Sequence, residues 1–198
     1  MSSLAEYLQE LKQDLGYNPV RIAAHSDIPF AVFRYRPSEE FPLRKHLRLL
    51  AINLQRDASR SVHFISLARI AWDTAALFDI DDLFQTEKLR GFDAAQKHLG
   101  QLLSSEDFKP AAQSILERTV TLDPDKDCVF LVRAGGFAPA IQRTSSLLGA
   151  LENRTRVPIV LFYPGNLEFG TDLRFYDLPS RGSLGAYNYR VKIYGGVS

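Results

Sequence analysis

Two apolar runs dominate the hydropathy pattern of this chain, Cys128 to Val132 and Pro158 to Tyr163. Between them lie Arg133, the Gly135-Gly136 pair and a helical pattern from about Pro139 to Glu152. Strand, turn, helix, loop, strand predicts a central βαβ unit over 127–165, with both strands buried on two faces. The second strand is expected to stop at Pro164-Gly165. Such a unit needs helices on both sides of a mostly parallel sheet, which constrains the rest of the chain.

The flanking patterns fit that requirement. Leu4, Leu8, Leu11 and Leu15 recur at helical spacing, so an N-terminal helix is expected within residues 1–19. Residues 28–36, IPFAVFRYR, alternate as a strand ending in Arg34-Tyr35-Arg36, and Pro37 stops it. Leu43, Leu47, Leu50 and Leu54 predict a helix over about 40–55, with Arg44, Lys45 and Arg48 mainly on its other faces. A short strand from Ser61 passes into a helix toward Phe78, and Asp79, Asp81 and Asp82 form an acidic turn. Residues 86–118 read as covering helices in two pieces, broken at Ser104-Ser105. A short strand is expected at 172–175 and another at 188–194. In the latter, Tyr187, Tyr189, Val191 and Ile193 alternate with a wet face, as at a sheet edge. Loops are expected at 165–170 and 179–185. The predicted fold is a single α/β domain over 1–198, a three-layer α-β-α with a mostly parallel central sheet. Its sheet resembles that of P-loop NTPases but carries no Walker motif.

Composition changes this picture little. Hydrophobic residues at 45% and charged residues at 24% are ordinary for a globular domain. The opening MSSLAEYLQE lacks the basic and apolar regions of a secretory leader, no run is long enough for a membrane span, and Cys128 is the sole cysteine. These point to a cytoplasmic protein with no membrane contact. Net charge is +1, but residues 128–198 hold eight Arg or Lys against four Asp or Glu, a local +4 that is mostly arginine.

A search for chemistry finds no catalytic set. His25, His46, His63 and His98 are scattered, no metal-ligand spacing occurs, and Cys128 sits in a core strand with no field to make a thiolate. A calcium loop at Asp79–Asp82 lacks its glycine and terminal glutamate. No cofactor is implied. What stands out is a group at predicted strand ends: Arg34, Tyr35 and Arg36; Arg133, Gly135 and Gly136; Tyr163, Pro164 and Gly165. In an open parallel sheet these line one crevice, where Arg133 could hold a carboxylate or phosphate and the helix start at 138–140 adds backbone donors. A structural alternative is that Arg133 pairs with an acid and caps the sheet. A nuclease reading rests on Asp127 and Asp172 alone, and a third reading is a degenerate nucleotide-binding domain.

Three stretches carry a family resemblance that spans about residues 28 to 194. They are IPFAVFRYRPSEEFPLRKH, DCVFLVRAGGFAPAIQRTSSLLGALENRTRVPIVLFYPG, and LRF followed by NYRVKIY. They resemble the BrxB family of BREX phage-defence islands. The resemblance implies a small bacterial antiviral accessory subunit, encoded beside a large methyltransferase, a PglZ-type phosphatase-fold protein and large ATPases. It supplies no catalytic residues. Its recognisable positions fall on Phe30 and Pro37, on Arg133, Gly135 and Pro139, on Leu161 to Gly165, and on Leu173, Arg174, Phe175, Tyr189 and Arg190. Where the family ending has adjacent tyrosines, this chain has Tyr187-Asn188-Tyr189-Arg190, which places both rings on one strand face. The implied role is a non-catalytic subunit that engages a PglZ-type partner and other BREX components, with DNA met only through the complex. The interaction or anion-recognition candidates are Arg34, Arg36, Arg133, Gly135, Tyr163, Gly165, Arg174, Tyr189 and Arg190. A DNA-binding or nuclease-related component of the same machinery is the alternative.

Overall fold

Strand alternation sorts the core of this protein into two layers, one on each face of the sheet. The computed structural model describes residues 3–23, 29–105, 110–137, 144–168, 172–175 and 191–195. Five strands run in the order β2 (Ser61–Ser66), β3 (Asp127–Val132), β4 (Ile159–Glu168), β1 (Phe30–Tyr35) and β6 (Lys192–Tyr194), with every neighbouring pair parallel. A short β5 (Asp172–Phe175) pairs antiparallel with the end of β4.

On one face, Ala31, Phe33, Tyr35, Cys128, Phe130, Val160 and Phe162 pack against two helices, α1 (Leu4–Gly16) and α2 (Glu40–Ala58). The helices contribute Leu8, Leu11 and Leu15, and Leu43, Leu47, Leu50 and Leu54. On the other, Phe30, Val32, Val129, Leu131, Ile159, Leu161 and Tyr163 meet α3 (Leu67–Leu77), α6 (Ala111–Thr119) and α7 (Thr144–Leu151). Residues that alternate along each strand therefore enter opposite cores, and the domain is a single α/β fold whose mostly parallel sheet is flanked by helices. Aromatic rings cross all five parallel strands on the α1–α2 face. Phe64 meets Phe130 edge-on at 5.6 Å, Phe130 meets Phe162 at 5.0 Å, and Phe162 meets Phe33 at 5.3 Å. Phe33 then stacks on Tyr194 at 6.5 Å. Each such pair adds about 0.5–1.5 kcal/mol beyond its buried area.

Four local expectations change. β4 does not stop at Pro164-Gly165 but continues to Glu168. Its pairing with β3 ends at Leu161, so the missing N–H of Pro164 falls where one side of the strand is already free. From Gly165 the strand pairs with β5, so residues 165–168 are a hairpin arm and not a loop. The stretch read as two helical pieces over 86–118 is three helices: α4 (Ile80–Arg90), α5 (Phe92–Leu102) and α6. Gly91 has φ +85, outside the helical region, and breaks the pattern between α4 and α5. The acidic turn before it is a helix start: Asp79 accepts the backbone N–H of Asp81 at 3.0 Å, and Asp81 and Asp82 sit at the positive end of the dipole.

The expected wet face of β6 is covered. Tyr194 is buried, and its hydroxyl donates to Asp14 of α1 at 2.7 Å. Lys192 donates to the same carboxylate at 2.5 Å and reaches Glu10 at 3.1 Å. Burial pushes the Tyr194 phenol up, and its bond to Asp14 adds to that. Desolvation opposes the Lys192 charge, but the Asp14 and Glu10 bonds outweigh it and raise its affinity for the proton. The edge strand is thus tied to the first helix. Tyr187, Tyr189 and Arg190, the loop at 179–185 and the helix start at 138–140 lie outside the described residues.

Candidate functional site

The carboxyl ends of β1, β2 and β3 meet α2 and the start of α3 around a cavity of about 510 Å³. Its wall is apolar, with Leu43, Leu47, Phe64, Val132 and Phe162, and four arginines surround it: Arg44, Arg48, Arg69 and Arg133. Glu40, Tyr35 and Ser66 complete the polar lining.

Local backbone chemistry places each group. β1 runs through Arg36 into a short 3-10 turn, Pro37–Glu39, with no glycine-rich loop between strand and helix. The turn is capped by Glu39, whose carboxylate accepts the Arg36 N–H at 2.9 Å. α2 then presents Glu40, Arg44 and Arg48 as one i, i+4 row beside its buried Leu43–Leu47 stripe. Glu40 accepts a short hydrogen bond from the Tyr35 hydroxyl and pairs with Arg44 at 3.0 Å. Ser66 caps α3 by accepting the Arg69 N–H at 3.2 Å, and the Arg69 side chain pairs with Asp73 at 2.7 Å.

Arg133 reaches the cavity through an unusual backbone. Val129 and Leu131 face the α3–α6–α7 core, and continued alternation would send residue 133 to the same side. Instead Arg133 adopts φ +58, a left-handed conformation that costs a non-glycine residue about 1–2 kcal/mol. The turn puts Arg133 beside Val132 on the cavity wall. The chain then forms a 3-10 turn, Ala134–Phe137, pressed onto α3. A Cβ at Gly136 would sit 2.5 Å from both Cα and Cβ of Ala68, so only glycine allows this approach. The side chains of Arg133 and Arg48 have no hydrogen bond or ion pair among the described residues.

The predicted candidates divide. Arg133 joins Tyr35 at the cavity, and Gly135 lies in the turn that follows. Arg34 points elsewhere: its Nε donates to the Gly195 carbonyl at 2.9 Å, tying β1 to the end of β6. Arg36 is exposed and outside the cavity lining. Tyr163 is fully buried in the opposite core, which pushes its phenol up. Gly165 pairs with Phe175 in the β4–β5 hairpin. Arg174 pairs with Asn166 there, and only its backbone is described; Tyr189 and Arg190 are outside the described residues. Arg44, Arg48 and Arg69 were assigned to no site from sequence. Their signal was the i, i+4 row after β1 and the first helical turn after β2.

The opposite end of the sheet is built differently. Arg60 is only 2% exposed and donates to four backbone carbonyls: Leu15 at 2.8 Å, Asp127 at 3.2 Å, Pro124 at 3.3 Å and Tyr17 at 3.4 Å. Asp127 meets His63 at 2.8 Å and accepts the Asp123 N–H at 2.8 Å. Asp127 precedes the β3–β4 pairing at Ile159, whereas Asp172 pairs with Glu168 at the far end of β4. On the order of 30 Å of strand separates them, so these two carboxylates do not share a site. Among the described residues no three His, Cys, Asp or Glu side chains converge as a metal site. A second cavity, of about 560 Å³, lies at this end beside Gln113, Glu117, Arg154 and Arg156.

The family model described as BREX protein BrxB matches residues 63–193, well over half of the chain. The chain belongs to the BrxB family. Neither a curated protein nor a solved structure matches it. The BrxB match runs from β2 to β6 and includes Phe64, Arg69, Arg133 and Phe162, whereas the α2 wall of the cavity lies before it. BrxB membership is consistent with an accessory role in BREX defence. No helix among the described residues is long and apolar enough to cross a membrane.

Proposed function

We propose that this BrxB-family chain is a non-catalytic interaction subunit of a BREX antiphage complex and engages a PglZ-type partner. One observation carries the reading. α4 buries none of its residues, yet it bears Phe84 at 59% and Leu89 at 78% exposure. Trp72, Leu77 and Phe92 are exposed in the flanking helices, within the segment that the BrxB model covers. Large apolar side chains left in water at this density suit a surface that a partner covers. Arg133, Arg174 and Arg190 are the charged candidates for further contacts, since arginine suits recognition of acidic surfaces.

Co-purification of the chain with the PglZ-type protein tests the reading. The Phe84→Asp, Leu89→Asp double variant is expected to lose the complex, with an affinity loss of about 2–4 kcal/mol if the pair is central to the interface. Charge reversal of Arg133, Arg174 or Arg190 is expected to weaken it less. Failure of the folded wild-type chain to join that partner or any other system component overturns the proposal.

A further inference from the structure

We propose that the arginine-rimmed cavity at the carboxyl end of the sheet binds a nucleotide, with its phosphates on Arg48 and Arg133 and its base against Phe64. Position is the first argument. β1 leads to α2 on one face of the sheet, whereas β3 leads to α7 on the other, and the cavity lies outside the carboxyl ends of β1, β2 and β3. Open α/β sheets receive ligands at such a point, outside the carboxyl ends of their strands.

Charge is the second. Among the described residues, four guanidinium groups line the cavity against one carboxylate, Glu40. Glu40 is already engaged by Tyr35 and Arg44, and Asp73 holds Arg69. Arg48 and Arg133 keep their planar donor sets free among the described residues, and that fork matches phosphate oxygens two at a time. The first turn of α3, capped by Ser66, brings the positive end of a helix dipole to the same wall. A single carboxylate would neutralise one of the two remaining charges, Arg48 and Arg133; a ligand with two or more phosphate charges matches the pair better.

Shape is the third. The volume, about 510 Å³, falls within the range of small-ligand sites, and the lining includes the apolar side chains Leu43, Leu47, Phe64, Val132 and Phe162. Phe64 is half exposed, held edge-on by Phe130, and offers a flat face for a base. A polyanion with a flat body is a nucleotide, either free or as one unit of a single strand. Both sources share this chemistry, and the test separates them.

The full chain is titrated at low salt with ATP, with ADP and with a short single-stranded DNA oligonucleotide, by calorimetry. The expected result is saturable binding of a free nucleotide, weakened about tenfold or more in Arg133→Gly and in Arg48→Gln. Arg156→Gln, at the opposite end of the sheet, is expected to bind as wild type does. Thermal melting confirms that each variant is folded, and glycine suits the left-handed backbone at 133. Saturation by the oligonucleotide alone, lost in the same two variants, supports the site with a nucleic-acid strand as its source. Three results overturn the proposal: no saturation by either form, equal binding in all variants, or saturation by a glutamate-rich peptide and by neither nucleotide form. Partner co-purification is read separately in Arg48→Gln, which changes the cavity but neither Phe84 and Leu89 nor the arginines proposed for the partner.

Discussion

The two ends of the sheet use the same side chain for opposite ends. At the amino end Arg60 is buried and spends its donors on four backbone carbonyls from two separate segments. At the carboxyl end Arg133 is exposed and sits in a left-handed backbone, and its side chain bonds to nothing among the described residues. Arg60 locks the α1 exit, the β2 start and the loop before β3 together. Arg133 is held at a backbone cost, with its side chain free among the described residues. The contrast separates an arginine that stabilises the fold from one that the fold positions for a ligand.

The largest expected effect lies at the locked end. Arg60→Ala removes every donor to those carbonyls, and buried acceptors left unpaired cost about 1–3 kcal/mol each at most. Relaxation and water entry recover part of this, so a net loss of about 3–5 kcal/mol is expected in urea unfolding. Arg60→Lys recovers little, because one ammonium cannot span the same fork. A loss below about 1 kcal/mol for Arg60→Ala would remove its role as the lock.

At the open end, geometry and not polarity carries the stability. Gly136→Ala places a methyl group within 2.5 Å of Ala68 backbone and is expected to cost about 1–3 kcal/mol, with a matching fall in Tm. Full stability in that variant would show that the turn after Arg133 is not pinned to α3. Between the two ends, Tyr194→Phe breaks one of the bonds to Asp14 and is expected to cost about 1 kcal/mol. The Lys192 bond keeps the same carboxylate engaged, which limits the loss.

The closed core also predicts a pH response. Burial pushes the Cys128 thiol from its ordinary 9.0 up to about 12. The folded state therefore holds the proton more tightly than the unfolded chain. The stability this gives is complete below pH 9 and is lost as pH rises from 9 toward 12, by up to about 1.4 kcal/mol per pH unit. Tyr163 and Tyr194 are shifted in the same direction and add to the loss above pH 10. Unfolding midpoints measured from pH 8 to 11 are expected to fall less steeply in Cys128→Val than in wild type. Parallel slopes would place that thiol in contact with water.

Much of this was legible in the sequence where one rule acted alone. The alternation in residues 30–35 and the leucines of α1 and α2 place their residues in the correct cores, because period and burial agree. Pro164 misled because its cost depends on a partner strand that ends at Leu161, which no local pattern records. The β6 edge misled because Lys192 and Tyr194 look solvated until α1 brings Asp14 over them. The candidate site was half visible. Arg133 stood out beside a glycine pair, whereas Arg44 and Arg48 looked like any charged helical row until β3 was placed next to α2. Arg60, one arginine in a polar connection, carried no signal, since its four partners come from distant segments.

The central claim, that Arg133 is kept from structural work, is tested most directly by urea unfolding of Arg133→Gly beside wild type. The account predicts equal stability or a gain of up to about 1 kcal/mol, because glycine adopts φ +58 without strain and no side-chain partner among the described residues is lost. A loss comparable to that of Arg60→Ala would contradict it and make Arg133 a structural cap of the sheet.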